Sequence, residues 1–398
     1  MPISAGIDAI AWAVPRGYLE LEDLARARSV PPSKYVDGLG LRRMAVAEAW
    51  EDPVALAANA ARRLFARSGA DPARVGLCIV GTETGVDHSK PIAAFLHGLA
   101  GLPQAARAYD TQHACFGGTA GLLTAMDWIA SGSARGRTAL VVCTDIARYT
   151  PGSAGEPTQG AAAVALLVSE RPRLLSLEPG ISGSYTRDVS DFWRPLHRKD
   201  AIVDGQLSVQ CYLDALGGAY AGFREASRAA DLHGRLARRC YHVPYGKMAR
   251  KAHRHAGRID GLTEAEADAS FEAEVSSSLV LPAEVGNAYT GSLYLALASL
   301  LHREAGAIEG ERVGLFSYGS GSTAEFFAGR VVPGAGAMAA QLRLSEPLEG
   351  RRQLTVAQYE EIRRGDELAD RRPLGPSDAR PGEVAFAGVE GDVRKYVG

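Results

Sequence analysis

The feature that most limits what this chain can fold into is a pair of short, wholly apolar runs flanking a helix-like stretch. Val75 to Gly81 (VGLCIVG) and Ala139 to Thr144 (ALVVCT) are rich in β-formers and too short for typical helices. Both are expected to be buried strands. Gly117 to Ser131 (GGTAGLLTAMDWIAS) opens with small residues and continues with apolar positions at helical spacing. Strand, helix, strand is the rhythm of an α/β protein. Ala161 to Val168 is another apolar run, Tyr294 to Leu301 a helix candidate, and Val313 to Tyr318 a strand leading into Gly319, Ser320 and Gly321. VGLCIVGTETG and VGLFSYGSGS share one pattern, a buried strand ending in turn-forming residues, which hints at two copies of one unit. The region 220–280 is charged and helix-like. The tail after about Arg351 is polar, and its RRGDELADRRPLGPSDARPG stretch is expected to be exposed.

A length of 398 residues suggests two to three domain-sized units. With 46% hydrophobic and 23% charged residues, the chain is not wholly disordered. A net charge of −2 provides no global positive field for nucleic acid or an anionic membrane, so an anionic ligand needs a local basic patch. The N-terminal MPISAGIDAIAWAVP lacks the basic and apolar regions of a signal peptide. No run reaches the roughly 18 apolar residues needed to span a bilayer. Cys78, Cys115, Cys143, Cys211 and Cys240 are scattered and odd in number, without a CxxC or a Cys/His cluster. Neither a disulfide framework nor a metal site is expected, and a reducing, cytoplasmic setting is.

Cys115 is the leading nucleophile candidate. It stands in QHACFGGTAG, at the expected start of a helix. The positive end of the helix dipole favours a thiolate, and the glycines let backbone N–H groups approach a carbonyl oxygen. The alternative is a packed core cysteine, the reading preferred for Cys78 and Cys143 inside strands. Glu83 follows the first strand, where partial desolvation raises a carboxylate toward the range of a general base, or it is a loop or capping carboxylate. His242 in CYHVPYGKMARKAHRH is a proton or hydrogen-bond donor, or a satisfied core histidine. Lys247, Arg250 and Lys251 recur at helical spacing, forming either a phosphate-binding face or an ordinary solvated one. Asn287 in EVGNAYTGSLY, with Tyr318 and Ser320 in FSYGSGS, could orient a substrate carbonyl or simply form turns. Cys, His, Asn and Glu at element ends together supply a nucleophile, a donor, an orienter and a base.

At these residues the chain resembles the 3-hydroxy-3-methylglutaryl-CoA synthase family, especially its bacterial mevalonate-pathway form. The likeness runs through GTETGVDHSK, QHACFGGTAG, TDIARY, GEPTQGAAAVAL, DFWRP, VDGQLS, HVPYGKMARKA, GNAYTGSLYL and GLFSYGSGS. It implies a thiolase-like α/β fold with two βαβαβαββ halves in a five-layered αβαβα core. The halves would be residues 1–168 and 169–398, with a helical insertion around 210–280 and usually a homodimer. Carried residue by residue, the nucleophile falls on Cys115, the general base on Glu83 and the acetoacetyl-site histidine on His242. Asn287, Tyr318, Ser320, Tyr149, Asp145, Asp191, Lys247 and Lys251 fall on substrate-binding or supporting positions. The implied reaction acetylates Cys115 from acetyl-CoA. Glu83 then deprotonates the acetyl methyl, the resulting carbanion equivalent attacks acetoacetyl-CoA, and water releases the product, with no metal or redox cofactor. His113 and Phe116 depart from the family pattern beside the nucleophile and bear on substrate identity. Three other readings stand: a relative acting on acyl-carrier-protein thioesters, a ketoacyl synthase or thiolase, and an inactive scaffold.

Overall fold

The computed structural model describes residues 5–229, 231–369, 373–374 and 377–398, with the side chains of 366–369 left out. Its frame is one nine-stranded sheet. In chain order the strands are β1 (Gly6–Ala13), β2 (Val75–Gly81), β3 (Arg107–Thr111), β4 (Thr138–Ala147), β5 (Gly160–Ser169), β6 (Leu175–Thr186), β7 (Arg238–Tyr241), β8 (Arg312–Gly319) and β9 (Thr323–Val331). The main helices are α1 (Pro53–Ser68), α2 (Ile92–Leu99), α3 (Gly117–Ala130), α4 (Gly205–Ala226), α5 (Gly246–Ile259), α6 (Glu264–Glu274) and α7 (Ser292–Glu304). The runs read as strands are β2, β4 and β8, the further apolar run Ala161 to Val168 is β5, and the two helix candidates are α3 and α7. β2 and β5 are buried along their whole length, which is why their sequences are continuous rather than alternating.

Across the sheet the strands run β7-β8-β9-β6-β1-β5-β4-β2-β3. The join between β6 and β1 is short and antiparallel, Gly6 to Ser176 and Ile7 to Leu175. On either side of it the order is the same: β1-β5-β4-β2 is matched by β6-β9-β8-β7, each with two antiparallel pairs and then a parallel one. The first half is β1-α1-β2-α2-β3-α3-β4-β5. The second is β6-α4-β7, then a helical excursion, then α7-β8-β9, and it has no counterpart of β3 among the described residues. The expected thiolase-like frame of two pseudo-repeated halves is present, the second with one strand fewer among the described residues. The insertion is also shorter than expected. α4 is a layer of the fold, with Tyr220 and Phe223 packed on Phe326 of β9 at 5.0 and 4.9 Å between ring centroids. Only the stretch after β7, holding α5 and α6, is an excursion.

Alternation along the strands sets the layers. In β4, Cys143 faces α3, while its neighbour Thr144 turns the other way and donates to the carbonyl of Pro53 in α1 at 2.7 Å. In β8, Ser317 faces α3, accepting from Thr119 at 2.7 Å, while Phe316 faces Tyr212 of α4. α3 therefore lies between the half-sheets, joined to α7 by the 2.7 Å contact of Thr119 with Tyr294. α1 and α4 cover the outside. Asp52 caps α1, its carboxylate accepting from the Ala55 N–H at 2.8 Å.

The tail departs from its polar appearance. Leu354 and Tyr359 join a second apolar cluster with Leu19, Leu24 and Met44. Arg363, read as exposed, is 12% exposed and paired with Asp200 at 2.8 Å. Part of that stretch, residues 370–372 and 375–376, lies outside the described residues.

Candidate active site

Glu83 stands two residues beyond β2 and is held by Asp145 of β4. Asp145 Oδ1 accepts from the Glu83 N–H at 2.9 Å, the Thr84 N–H at 3.0 Å, and the hydroxyls of Thr82 at 3.0 Å and Thr84 at 2.6 Å. Its Oδ2 accepts from the N–H of Thr290 at 3.1 Å and from the Thr290 hydroxyl. Both oxygens are filled and the residue is wholly buried, so Asp145 positions Glu83 and ties the halves together rather than touching a substrate. Asp191 is likewise enclosed, accepting from the Tyr318 hydroxyl at 2.9 Å and the Gly321 N–H at 3.0 Å. The substrate-binding assignment of these two acids is corrected to one of support.

Cys115 ends the loop after β3, just before α3. Its thiol donates to Glu83 Oε1 at 3.3 Å. It lies deep but keeps part of its surface accessible, against Ala147, Tyr149, Ala201, Tyr289 and Phe192. Burial pushes the thiol well above its ordinary pKa, and the carboxylates of Glu83 and Asp145 push the same way. The thiolate expected from the helix dipole is therefore not the resting form: charges a few ångströms away outweigh a partial charge at the helix end. The glycines after Cys115 serve packing. A Cβ on Gly118 would lie 2.3 Å from Cys143 Sγ.

Burial raises the Glu83 carboxyl to about 7, with the Asp145 charge adding to the rise and Arg194 opposing it. Arg194 Nη2 lies 3.3 Å from Glu83 Oε2 and also donates to the Glu83 backbone carbonyl. Arg194 belongs to the DFWRP block, but its partnership with Glu83, 111 positions away, has no local signal.

His242 enters from the second half, at the end of β7, with its N–H on the Phe316 carbonyl at 2.7 Å. Burial lowers its imidazole to about 3, so it is neutral at physiological pH. Aromatic rings link it to the end of β8: Tyr212 lies 6.4 Å from His242 and 5.2 Å from Tyr318 between centroids. After Tyr318 comes Gly319, where a Cβ would meet the His113 carbonyl oxygen at 2.5 Å and Phe116 Cβ at 2.7 Å. Only glycine lets the end of β8 press onto the loop carrying Cys115. Ser320 follows, half-buried, and its backbone faces His113. The two departures, His113 and Phe116, pack edge-to-face at 6.2 Å in this seam.

Asn287 is buried, its Oδ1 accepting from the Tyr289 N–H and the Ser292 hydroxyl, both at 2.9 Å. This fixes the side chain and commits only the oxygen. Tyr149 is buried against Phe192, 6.3 Å between centroids. Tyr289, in the same block as Asn287, was missed by sequence reasoning. Its hydroxyl is buried and has no hydrogen-bond partner among the described residues. Lys247 is exposed and Lys251 half-buried, on α5. Arg250 does not share a free cationic face with them. It pairs with Asp268 at 3.4 Å and Glu272 at 2.6 Å on α6. Among the described residues no group of three or more His, Cys, Asp or Glu is arranged to hold a metal, and no helix is long and apolar enough to cross a membrane.

A half-repeated α/β frame with a cysteine at the start of its central helix, against a carboxyl base, defines a thiolase-like condensing enzyme. The family model for the hydroxymethylglutaryl-coenzyme A synthase N terminal matches residues 1–172, and that for its C terminal matches 175–269 and 258–372. Hydroxymethylglutaryl-CoA synthase of Enterococcus faecalis is 39% identical over 360 residues, covering 90% of this chain and 91% of that protein. A polyketide-biosynthesis 3-hydroxy-3-methylglutaryl-ACP synthase of Bacillus subtilis (strain 168) is 32% identical over 376 residues, covering 91% of this chain and 89% of that protein. Among solved structures, MvaS in complex with 3-hydroxy-3-methylglutaryl coenzyme A aligns with a TM-score of 0.94 at 48% identity, covering 100% of this chain and 99% of that one. The curacin-pathway HMG synthase in complex with holo donor-ACP aligns with a TM-score of 0.93 at 33% identity, with 99% of each chain covered. The chain belongs to the hydroxymethylglutaryl-CoA synthase family.

Proposed function

We propose that this enzyme condenses acetyl-CoA with acetoacetyl-CoA and water to give 3-hydroxy-3-methylglutaryl-CoA and CoA, in a mevalonate-type route. The observation that carries the reading is the Cys115 thiol hydrogen-bonded at 3.3 Å to a carboxyl poised at about 7. Cys115 sulfur attacks the acetyl thioester as Glu83 takes the thiol proton, which passes to the departing CoA sulfur. Glu83, ionised again, removes a proton from the methyl of acetyl-Cys115. The Tyr289 hydroxyl, otherwise unsatisfied, donates to the acetyl oxygen as enolate charge develops. The enolate carbon bonds to the ketone carbon of acetoacetyl-CoA, and the ketone oxygen takes the proton held by Glu83. His242, being neutral, polarises that oxygen through an N–H rather than acting as a charged acid. Water then cleaves the Cys115 thioester. Asn287 and Ser320 position the second substrate, Tyr318 and Tyr149 wall the site, and Lys247 and Lys251 meet the CoA phosphates. None of these steps calls for a metal or redox cofactor. We further propose a cytoplasmic homodimer, whose interface would cover the outer edge of β3 at the end of the sheet.

The test incubates the protein with acetyl-CoA and acetoacetyl-CoA, then with the same acyl groups on an acyl carrier protein, and identifies products by mass. The CoA pair is expected to turn over faster. A product formed only from the carrier-bound pair would transfer the reading to the carrier-protein branch, and no product from either would overturn it.

A further inference from the structure

We propose a second ligand site, separate from the condensing centre: a cavity beside α1 that binds a compact phosphoryl polyanion. The cavity has a volume of about 350 Å³ and is lined by none of Cys115, Glu83 or His242. Six arginines reach it: Arg16, Arg62, Arg63, Arg67, Arg351 and Arg380. The lining glutamates among the described residues are Glu51, Glu346 and Glu383. Glu51 is buried, its oxygens taken by the N–H groups of Arg16 at 2.8 Å and Glu48 at 3.0 Å, and burial raises it to about 8. At neutral pH it adds little negative charge. Glu346 is shared, 3.1 Å from Arg63 and 2.5 Å from Arg67. The other arginines are satisfied mostly by backbone carbonyls. Arg62 donates to Leu99, Gly382 and Gly398 at 2.9, 3.2 and 3.3 Å, and Arg380 to Glu349 at 2.8 Å. Six guanidiniums therefore face the carboxylates of Glu346, Glu383 and the terminal Gly398, with that of Glu284 beside Arg351, and the cavity keeps a surplus of positive charge.

Arg351 adds a buried cation to the lining. The Arg351 side chain is 4% exposed and lines the cavity. One of its Nη atoms donates to the Glu284 carbonyl at 3.0 Å, and the Glu284 carboxylate is 3.9 Å away. Its Nε–H is buried with no partner among the described residues. An unpaired donor on a buried cation is costly and rare. That atom is closed to solvent and its guanidinium lies over the Tyr18 ring, 4.9 Å from the centroid, so a phosphoryl group in the cavity would meet the guanidinium forks of the rim arginines and supply the missing negative charge there. Guanidinium forks fit phosphoryl oxygens in paired hydrogen bonds, which favours this class over a simple halide.

The reading does not depend on the condensation chemistry, and its test is arranged accordingly. Pyrophosphate is titrated by calorimetry into the full chain saturated with CoA, which occupies the substrate channel, at constant ionic strength. Glycerol phosphate, chloride and acetate are run in parallel. One saturable site is expected for pyrophosphate. Arg63→Ala and Arg380→Ala, on the rim and compatible with folding, are expected to weaken it at least about tenfold. Lys247→Ala is expected to leave it unchanged. Arg351→Lys, which keeps the charge, is expected to bind pyrophosphate within about twofold of the unsubstituted protein. Tighter binding of pyrophosphate than of glycerol phosphate assigns the ligand to free polyphosphates, and the reverse to phosphate esters. Absence of saturable binding with CoA bound, binding indifferent to both rim substitutions, or equal binding of acetate would overturn the proposal.

Discussion

The two halves share a strand order but divide the chemistry. The first half contributes acids: Glu83 and Asp145 at the ends of β2 and β4, and the Cys115 thiol before α3. The second contributes neutral groups: His242 after β7, Asn287 before α7 and Tyr318 at the end of β8. Burial acts on both sets in opposite directions with one result. It raises Glu83 to about 7 and Cys115 well above its ordinary value and lowers His242 to about 3, in each case toward the uncharged form, and leaves Glu83 poised between its two forms near neutral pH. Arg194 is the cation set against Glu83. In the proposed reaction Glu83, on one half, accepts protons and the other half donates hydrogen bonds, and the seam between the halves is held by Asp145 with Thr290, Thr119 with Ser317, and Gly319 against His113.

That division can be broken at several points. Cys115→Ser is expected to remove the acetyl-enzyme seen by intact mass and to lower turnover by up to about a millionfold. Glu83→Gln is expected to cut condensation by about 10²–10⁴-fold and to abolish exchange of the acetyl methyl protons with deuterated solvent. His242→Ala, on the other wall, is expected to leave acetylation of Cys115 intact and to lower condensation by about 10²–10³-fold. Equal loss of acetylation in His242→Ala would end the proposed division of labour. Gly319→Ala tests the seam itself: its added Cβ strikes backbone, and denaturant titration should show a loss of about 1–3 kcal/mol. Arg194→Gln is expected to act most gently. The arginine lowers the Glu83 pKa, so its loss carries that value above about 7, and the acid limb of kcat/KM moves to higher pH.

β2, β4 and β8 and the helices α3 and α7 were legible because deep burial writes itself as continuous apolar sequence, as in β2, while β1, β3, β6, β7 and β9 were not read as strands. The excursion after β7 was harder to bound because α4 runs toward the charged helices α5 and α6 with its own charges, Arg224 and Glu225, at its end, and its packing on β9 is what marks it as a layer. The tail misled for a related reason. Its apolar residues Leu354 and Tyr359 are few and far apart, and they count as core only beside Leu19 and Leu24, more than 300 positions earlier. Arg194 and Tyr289 carried no sign of their surroundings, and Arg250 looked free because its acidic partners sit on the next helix.

What the chain determined by itself was the set of chemical groups and the elements that bear them: a cysteine before a small-residue helix, a glutamate after a buried strand, a histidine and an asparagine at element ends. Those follow from local patterns of burial and turn formation, which neighbouring residues impose. Protonation was decided only by the tertiary structure. Whether Cys115 rests as thiol or thiolate depends first on its burial and then on the charges of Glu83 and Asp145, 32 and 30 positions away in sequence, and both burial and Coulomb interactions follow position in space rather than along a chain.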